Sequence, residues 1–209
     1  MESSNPPKPP RRKASDKAEA ILEGAMQEIM ASGYAAASMD RIAAASGVSK
    51  PTLYNYFQDK ESLFIALIEK LVKEKFQDFF SPQYFQEPLP PGKGEILLRQ
   101  LAKKIIEDAV NQPEFLDFMR IIVGESGRFP ELARTFIRTM KVTSFESVTH
   151  LFANSPELKT HDPEVAARIF LGTMVHYIIT QKLLHGEDIL PMDSDRLIDG
   201  LIDCLTRSN

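Results

Sequence analysis

The stretch SMDRIAAASGVSKPTLYNYF, residues 38–57, decides how the rest of the chain is read. It divides into two short helices about a tight turn. Ser38 caps the first, because a side-chain oxygen at that position accepts from backbone N–H groups that a helix start leaves unpaired. Ile42, Ala43 and Ala45 give this helix a small apolar face that a second helix can approach closely. Gly47 ends it, since glycine takes the left-handed conformation common just past a helix C-terminus, and Val48 plugs the turn. Ser49 caps the second helix, and Pro51 stands in its first turn, where a missing N–H costs nothing. Leu53 and Phe57, four residues apart, share the inner face as core. Lys50, Thr52, Tyr54, Asn55 and Tyr56 are left mostly outside. Two helices about a short glycine turn, the second presenting polar and aromatic groups outward, form the helix-turn-helix arrangement.

Outward from this motif, residues 1–14 begin MESSNPPKPPRRK, in which the prolines remove donors and impose extended backbone. A flexible basic arm ending in Arg11, Arg12 and Lys13 is expected. Such an arm either enters a minor groove or sits on phosphates, or it serves only as a solvated tail. From Ser15 to Ser32, Ala18, Ile21, Leu22, Ala25, Met26 and Ile29 recur at helical spacing and make one apolar face, which Gly33-Tyr34 ends. Residues 15–60 are thus expected to form a three-helix head. Gln58-Asp59 open a further helix reaching about Phe79, and the proline- and glycine-rich run Ser81–Gly94 reads as a loop. Breakers mark the rest: helices over Glu95–Val110, from Pro113 to Gly127, from Pro130 to about Phe152, over Glu164–His185 after an Asp162 cap, and from Ser194 onward. No segment alternates with period two, so the fold class is all-α, with residues 61–209 as a helical second domain.

A chain of 209 residues buries a sizeable core without covalent staples. A lone Cys204 excludes an internal disulfide framework and fits a reducing cytoplasm; buried core or dimer packing is its expected place. Neither a secretory signal nor a bilayer-length apolar run is visible, so a soluble, cytoplasmic protein without a membrane partner is expected. The net charge of −4 is unevenly spread: eight Lys and Arg face seven Asp and Glu in residues 1–60, and 17 face 22 in the remainder. This distribution permits nucleic-acid binding without establishing it. His150, His161, His176 and His185 show no metal-ligand spacing, and phosphate-binding and nucleophile-elbow fingerprints are missing. Neither an enzyme, a metal nor a cofactor is expected.

If the head binds DNA, Ser49–Tyr56 enters the major groove. Lys50 and Thr52 then point where base edges are reached. The hydroxyls of Tyr54 and Tyr56, with Ser38, Ser49 and Lys60, are placed for phosphates, and Arg41 reaches either. In the second domain the Asp162–His185 helix is apolar nearly all round, so it must bury two faces. A four-helix bundle across a two-fold axis, made with the last helix of a second copy, is the economical answer; a central helix within a monomer is the alternative. Phe115, Phe118, Met119, Ile122, Phe136, Met140, Met174, His176 and Tyr177 are candidates to line a cavity, histidine and tyrosine orienting its occupant. Walls rich in aromatics and methionine suit a small apolar or aromatic molecule. Ordinary bundle core is the other reading of the same residues.

The run IAAASGVSKPTLYNYFQDKESL, residues 42–63, closely resembles the N-terminal domain of the TetR family of transcriptional regulators. The family's pattern is approximately IA-x-x-A-G-V-S-x-x-x-x-Y-x-Y-F-x-x-K-x-x-L, from which this chain departs at Ser46, where alanine is commoner. The segment Glu125–Phe136 also looks like regulators related to AcrR-type efflux-pump repressors. The resemblance implies a homodimer joined through the last two long helices and a palindromic double-stranded DNA operator. It further implies a small-molecule effector and a fourth helix that couples head to effector domain. A ligand-responsive repressor is the expected function. A helical small-molecule carrier or interaction module that has lost DNA binding is the alternative.

Overall fold

Ile21, Ala25 and Ile29, spaced by four and wholly buried, build the first helix, α1 (Ala14–Ala36). Gly33 interrupts it at φ 77°, ψ 161°, a conformation that glycine adopts without the usual Cβ penalty. The computed structural model describes residues 14–76, 89–111, 113–155, 157–158 and 160–206. The expected basic arm, with Arg11, Arg12 and Lys13, lies outside the described residues, as does the expected loop up to residue 88.

α2 (Met39–Ala45) and α3 (Lys50–Tyr56) follow the capping chemistry of the motif. Ser38 Oγ accepts from Arg41 N–H at 3.3 Å, and Ser49 Oγ from Thr52 N–H at 3.4 Å. Gly47 takes φ +65°, and the N–H groups of Gly47 and Val48 reach the Ala44 and Ala43 carbonyls at 3.2 and 3.1 Å. Ile42 and Leu53 are wholly buried, whereas Phe57, expected in the core, is half-buried and ends α3 with its N–H on the Leu53 carbonyl. α1 and α2 meet at Gly24 and Ser46, where the missing Cβ makes room for Ser46 backbone. The Ser46 hydroxyl, this chain's departure from the family pattern, is buried and donates to the Ile42 carbonyl at 2.6 Å.

α4 (Lys60–Phe76) buries Leu63, Phe64, Leu67, Ile68 and Val72. Asp59 and Ser62 cap it reciprocally: the Asp59 carboxylate accepts from Ser62 N–H at 2.7 Å, and Asp59 N–H donates to the Ser62 hydroxyl at 3.2 Å. The chain divides into two compact units between Leu67 and Ile68, inside α4. The sequence places the change of domain at residues 60–61, where this helix begins.

The second unit comprises α5 (Lys93–Asn111), α6 (Pro113–Glu125), α7 (Pro130–Met140), α8 (Glu146–Ala153), α9 (Pro163–Tyr177) and α10 (Ser194–Thr206). Two of these continue into π-helical turns that periodicity does not reveal. Lys141–Phe145 joins α7 to α8, with Glu146 N–H on the Lys141 carbonyl, and Ile178–Leu183 extends α9, with Leu184 N–H on the Ile179 carbonyl at 2.9 Å. Asp162 caps α9 as expected, accepting from Glu164 and Val165 N–H at 3.0 and 3.1 Å. The core gathers Leu98, Ala102, Val148, Phe152, Phe170 and Ile202, with Phe152 edge-on to Phe170 at 6.5 Å between centroids. Ion pairs Arg99–Asp199 and Lys103–Asp195 tie α5 to α10. Cys204 is exposed, not in this core, because Ile198, Leu201 and Ile202 make the inner face of α10. Among the described residues there is no strand, and no helix is long and apolar enough to cross a membrane.

Candidate nucleic-acid interface and effector cavity

In the head, the outer face of α3 carries the groups expected to meet DNA. Tyr54 and Tyr56 are 43% and 37% exposed, a high share for large aromatic side chains in so small a unit. The Lys50 ammonium lies 2.6 Å from the Asp40 carboxylate on α2, and this hydrogen bond raises the lysine pKa above its ordinary value. Both groups are well exposed, so the pair holds Lys50 charged at the surface without committing it to the interior. Thr52 shares a 2.8 Å hydroxyl contact with Ser49. Ser38 and Ser49 accept as helix caps; the Ser38 hydroxyl keeps its proton to offer outward, while Ser49 and Thr52 spend one proton on each other.

Two expected contacts have work inside the head. Arg41 Nε lies 2.6 Å from the Glu28 carboxylate and its guanidinium also donates to the Ala36 carbonyl, binding α2 to α1. Lys60, expected on phosphate, instead donates to the carbonyls of Tyr34, Ala35 and Ala37 at 2.8, 3.1 and 3.0 Å, its ammonium 4.6 Å from the Tyr34 ring centroid. A cation here satisfies carbonyls that the end of α1 at Ala36 leaves without helical partners. The sequence shows the charge of Lys60 but not which carbonyls it meets.

In the second unit an apolar cavity of about 490 Å³ opens between α5, α6, α7 and α9. Phe115, Met119, Ile122, Phe136, Met140 and Met174 line it, as expected. Phe118, His176 and Tyr177 do not. Phe118 is wholly buried in the interior, Tyr177 joins the core with Phe170, and His176 is exposed on α9. The orienting polar groups assigned from sequence are therefore not in the wall. Ile105 and Ala109 of α5, and Ile178 and Leu183 of the second π-helical turn, were not anticipated there. Ile105 and Ala109 stand four apart on one helical face, a legible signal; the π-helical residues carry none. Asp108, the one charged side chain on the wall among the described residues, is paired with Lys104. The Ser126 and Ser144 hydroxyls donate to the Val123 and Met140 carbonyls at 2.6 and 2.7 Å, so their protons are used locally.

These parts define a class, the helix-turn-helix proteins that carry a helical companion unit with an internal apolar cavity. Residues 21–67 match the bacterial regulatory proteins of the tetR family, and residues 97–207 match the C-terminal domain of AefR-like transcriptional repressors. The chain belongs to the TetR family. The HTH-type transcriptional regulator YhgD of Bacillus subtilis (strain 168) is 39% identical over 62 residues, which is 30% of this chain and 32% of that protein. The HTH-type transcriptional regulator EthR of Mycolicibacterium smegmatis is 35% identical over 69 residues, 33% of this chain and 32% of EthR. The match thus spans about a third of the length of these curated relatives. Among solved structures, the flavonoid-responsive regulator FrrA superposes with a TM-score of 0.72 at 29% identity, covering 92% of this chain and 96% of that one.

Proposed function

We propose that this protein is a cytoplasmic, ligand-responsive transcriptional repressor that a small apolar or aromatic effector releases from its DNA operator. The observation that carries the reading is the outward face of α3, where Lys50, Thr52, Tyr54 and Tyr56 stand together on a helix capped and braced by the head. Lys50 and Thr52 read base edges in the major groove, while Tyr54, Tyr56, Ser38 and Ser49 hold phosphates, which fix register. Arg41 contributes to the phosphate contacts from its brace on α1, and Lys60 supports the head from behind.

Membership of the family supports a homodimer, and α9 and α10 supply its interface. Val165 and Ile169 on α9, four residues apart, are each about half exposed, an apolar pair that a second copy would cover. Two recognition helices related by a two-fold axis fit a palindromic operator with half-sites one or more helical turns apart. The effector acts by binding better to the dimer state whose head spacing does not fit the operator, and it lowers operator affinity by that differential. An aromatic effector is in keeping with the flavonoid-responsive name of FrrA.

The test is selection of random duplex DNA by the purified protein, followed by titration of the enriched site at two salt concentrations. A palindromic site whose affinity falls steeply with salt is expected, since each neutralised phosphate releases condensed counterion. No enrichment would overturn the DNA-binding reading.

A further inference from the structure

Beside the apolar cavity lies a wider groove of about 810 Å³, and Ile137, Met140, Ser144 and Leu171 line both spaces. The partition between them is therefore one layer of side chains. Part of it is carried by the π-helical turn Lys141–Phe145, a local irregularity that recurs at functional sites. The two spaces differ in chemistry. Inside, Asp108 is already paired with Lys104 and the Ser126 and Ser144 hydroxyl protons are already given to backbone carbonyls, so a polar group placed there gives up water for a few acceptor lone pairs. Outside, the groove presents two ion pairs, Lys141–Glu146 at 3.7 Å and Arg168–Glu164 at 2.7 Å. Arg168 is also held over the Phe145 ring, 4.7 Å from its centroid.

The formal charges of those two pairs cancel. A charged head group entering the groove would displace one existing partner to gain its own, an exchange of exposed pairs worth little. Hydroxyl or amide groups instead insert beside both partners, donating to carboxylate and accepting from guanidinium or ammonium, and they keep the pairs intact. We propose that the effector is a neutral amphiphile. Its apolar body fills the cavity, and its uncharged hydroxyl- or amide-bearing head lies in the groove beside Arg168 and Glu146, beyond a door formed by Met140 and Leu171. This rests on the effector-cavity reading given above.

The experiment displaces N-phenyl-1-naphthylamine, a neutral apolar fluorophore, from the full-length protein with four competitors that share one octyl chain: 1-octanol, octyl β-glucoside, octanoate and octylammonium. Octyl β-glucoside is expected to compete about tenfold more tightly than either ion, the equivalent of one net hydrogen bond to a charged group. The double variant Glu146→Ala/Arg168→Ala keeps the groove's net charge unchanged. It should weaken the glucoside about tenfold and 1-octanol, which brings one hydroxyl to the groove against the sugar's four, by clearly less, while unchanged binding of the fluorophore reports that the variant is folded. If the fluorophore does not bind, or is not displaced by 1-octanol, the cavity reading fails and the amphiphile falls with it. If both bind but an ion matches or exceeds the glucoside, the head assignment alone is overturned. The same holds if the double variant leaves the glucoside unchanged.

Discussion

Replacing Gly24 with alanine tests the close approach of α1 and α2 on which the recognition helix depends. A Cβ at this position would lie 2.7 Å from the Ser46 backbone nitrogen and 2.9 Å from its Cα, nearer than real Cβ atoms come to other heavy atoms. Both neighbours are backbone, so neither can swing aside as a side chain would. Two effects oppose one another. Alanine in a helix interior is favoured over glycine by about 0.5–1 kcal/mol, while overpacking a closed contact costs about 1–3 kcal/mol. A clash with backbone falls towards the top of that range, leaving a net loss of about 1–2 kcal/mol. For a chain of this length that corresponds to a fall in Tm of roughly 2–8 °C. Thermal and urea unfolding followed by circular dichroism measure it directly. The double variant Gly24→Ala/Ser46→Ala removes the Ser46 hydroxyl but leaves the nitrogen and Cα in place, so it should recover little. Operator affinity should fall with stability, although neither residue lies on the outer face of α3. A Gly24→Ala protein with a raised Tm would refute the reasoning, because propensity alone would then be acting and the helices would not be in such contact.

Lys60→Met removes the ammonium from three carbonyls at the end of α1 and should cost about 2 kcal/mol in urea unfolding. The slope of operator affinity against salt should stay unchanged, since a lost phosphate contact would reduce it by nearly one counterion. Phe118→Ala should destabilise the chain by about 3–5 kcal/mol, as for other wholly buried phenylalanines. His176→Ala, away from the cavity wall, should leave displacement of the naphthylamine probe unchanged. Asp59→Asn tests the cap of α4. The Ser62 N–H holds the Asp59 carboxyl below its ordinary value, so the charged cap stabilises the fold above the ordinary carboxylate range and ceases to do so as pH falls through the lower folded value. The difference in urea midpoint between wild type and variant should therefore be constant from about pH 7 to 5 and shrink below about pH 4.

Much of this architecture was legible because it is written in short-range chemistry. Ser38, Gly47, Ser49 and Asp162 act on backbone groups a few residues away, and Pro113 and Pro130 open helices wherever they stand. Facing is harder to read than helicity. Phe115, Phe118 and Met119 share one short apolar run, yet Phe118 turns into the interior while its neighbours reach the cavity. The partner helices make that choice, and sequence spacing does not name them. His176 shows the same limit on α9, where a polar residue among apolar ones suggested an orienting group but faces outward. The π-helical turns left only an indirect trace. Thr139, Thr143, Ser144 and Thr149 all donate to carbonyls four residues back, a competition that loosens and bends helices. Their clustering around Lys141–Phe145 is the one mark that the turn leaves in the sequence.

Those π-helical turns also bear on how the protein tolerates change. A π-helical turn stores a residue that the regular helical ladder does not need. Insertions and deletions are ordinarily confined to loops, but here slack exists inside the helices that wall the cavity. Loss of one residue from Lys141–Phe145 can be absorbed by returning that turn to α-helical pairing, with α7 and α8 keeping their places. Val148 and Phe152, which anchor the core, lie beyond the turn on regular helix. The outline of the cavity is thus open to evolutionary drift by single-codon changes, independently of the packing that keeps the domain folded.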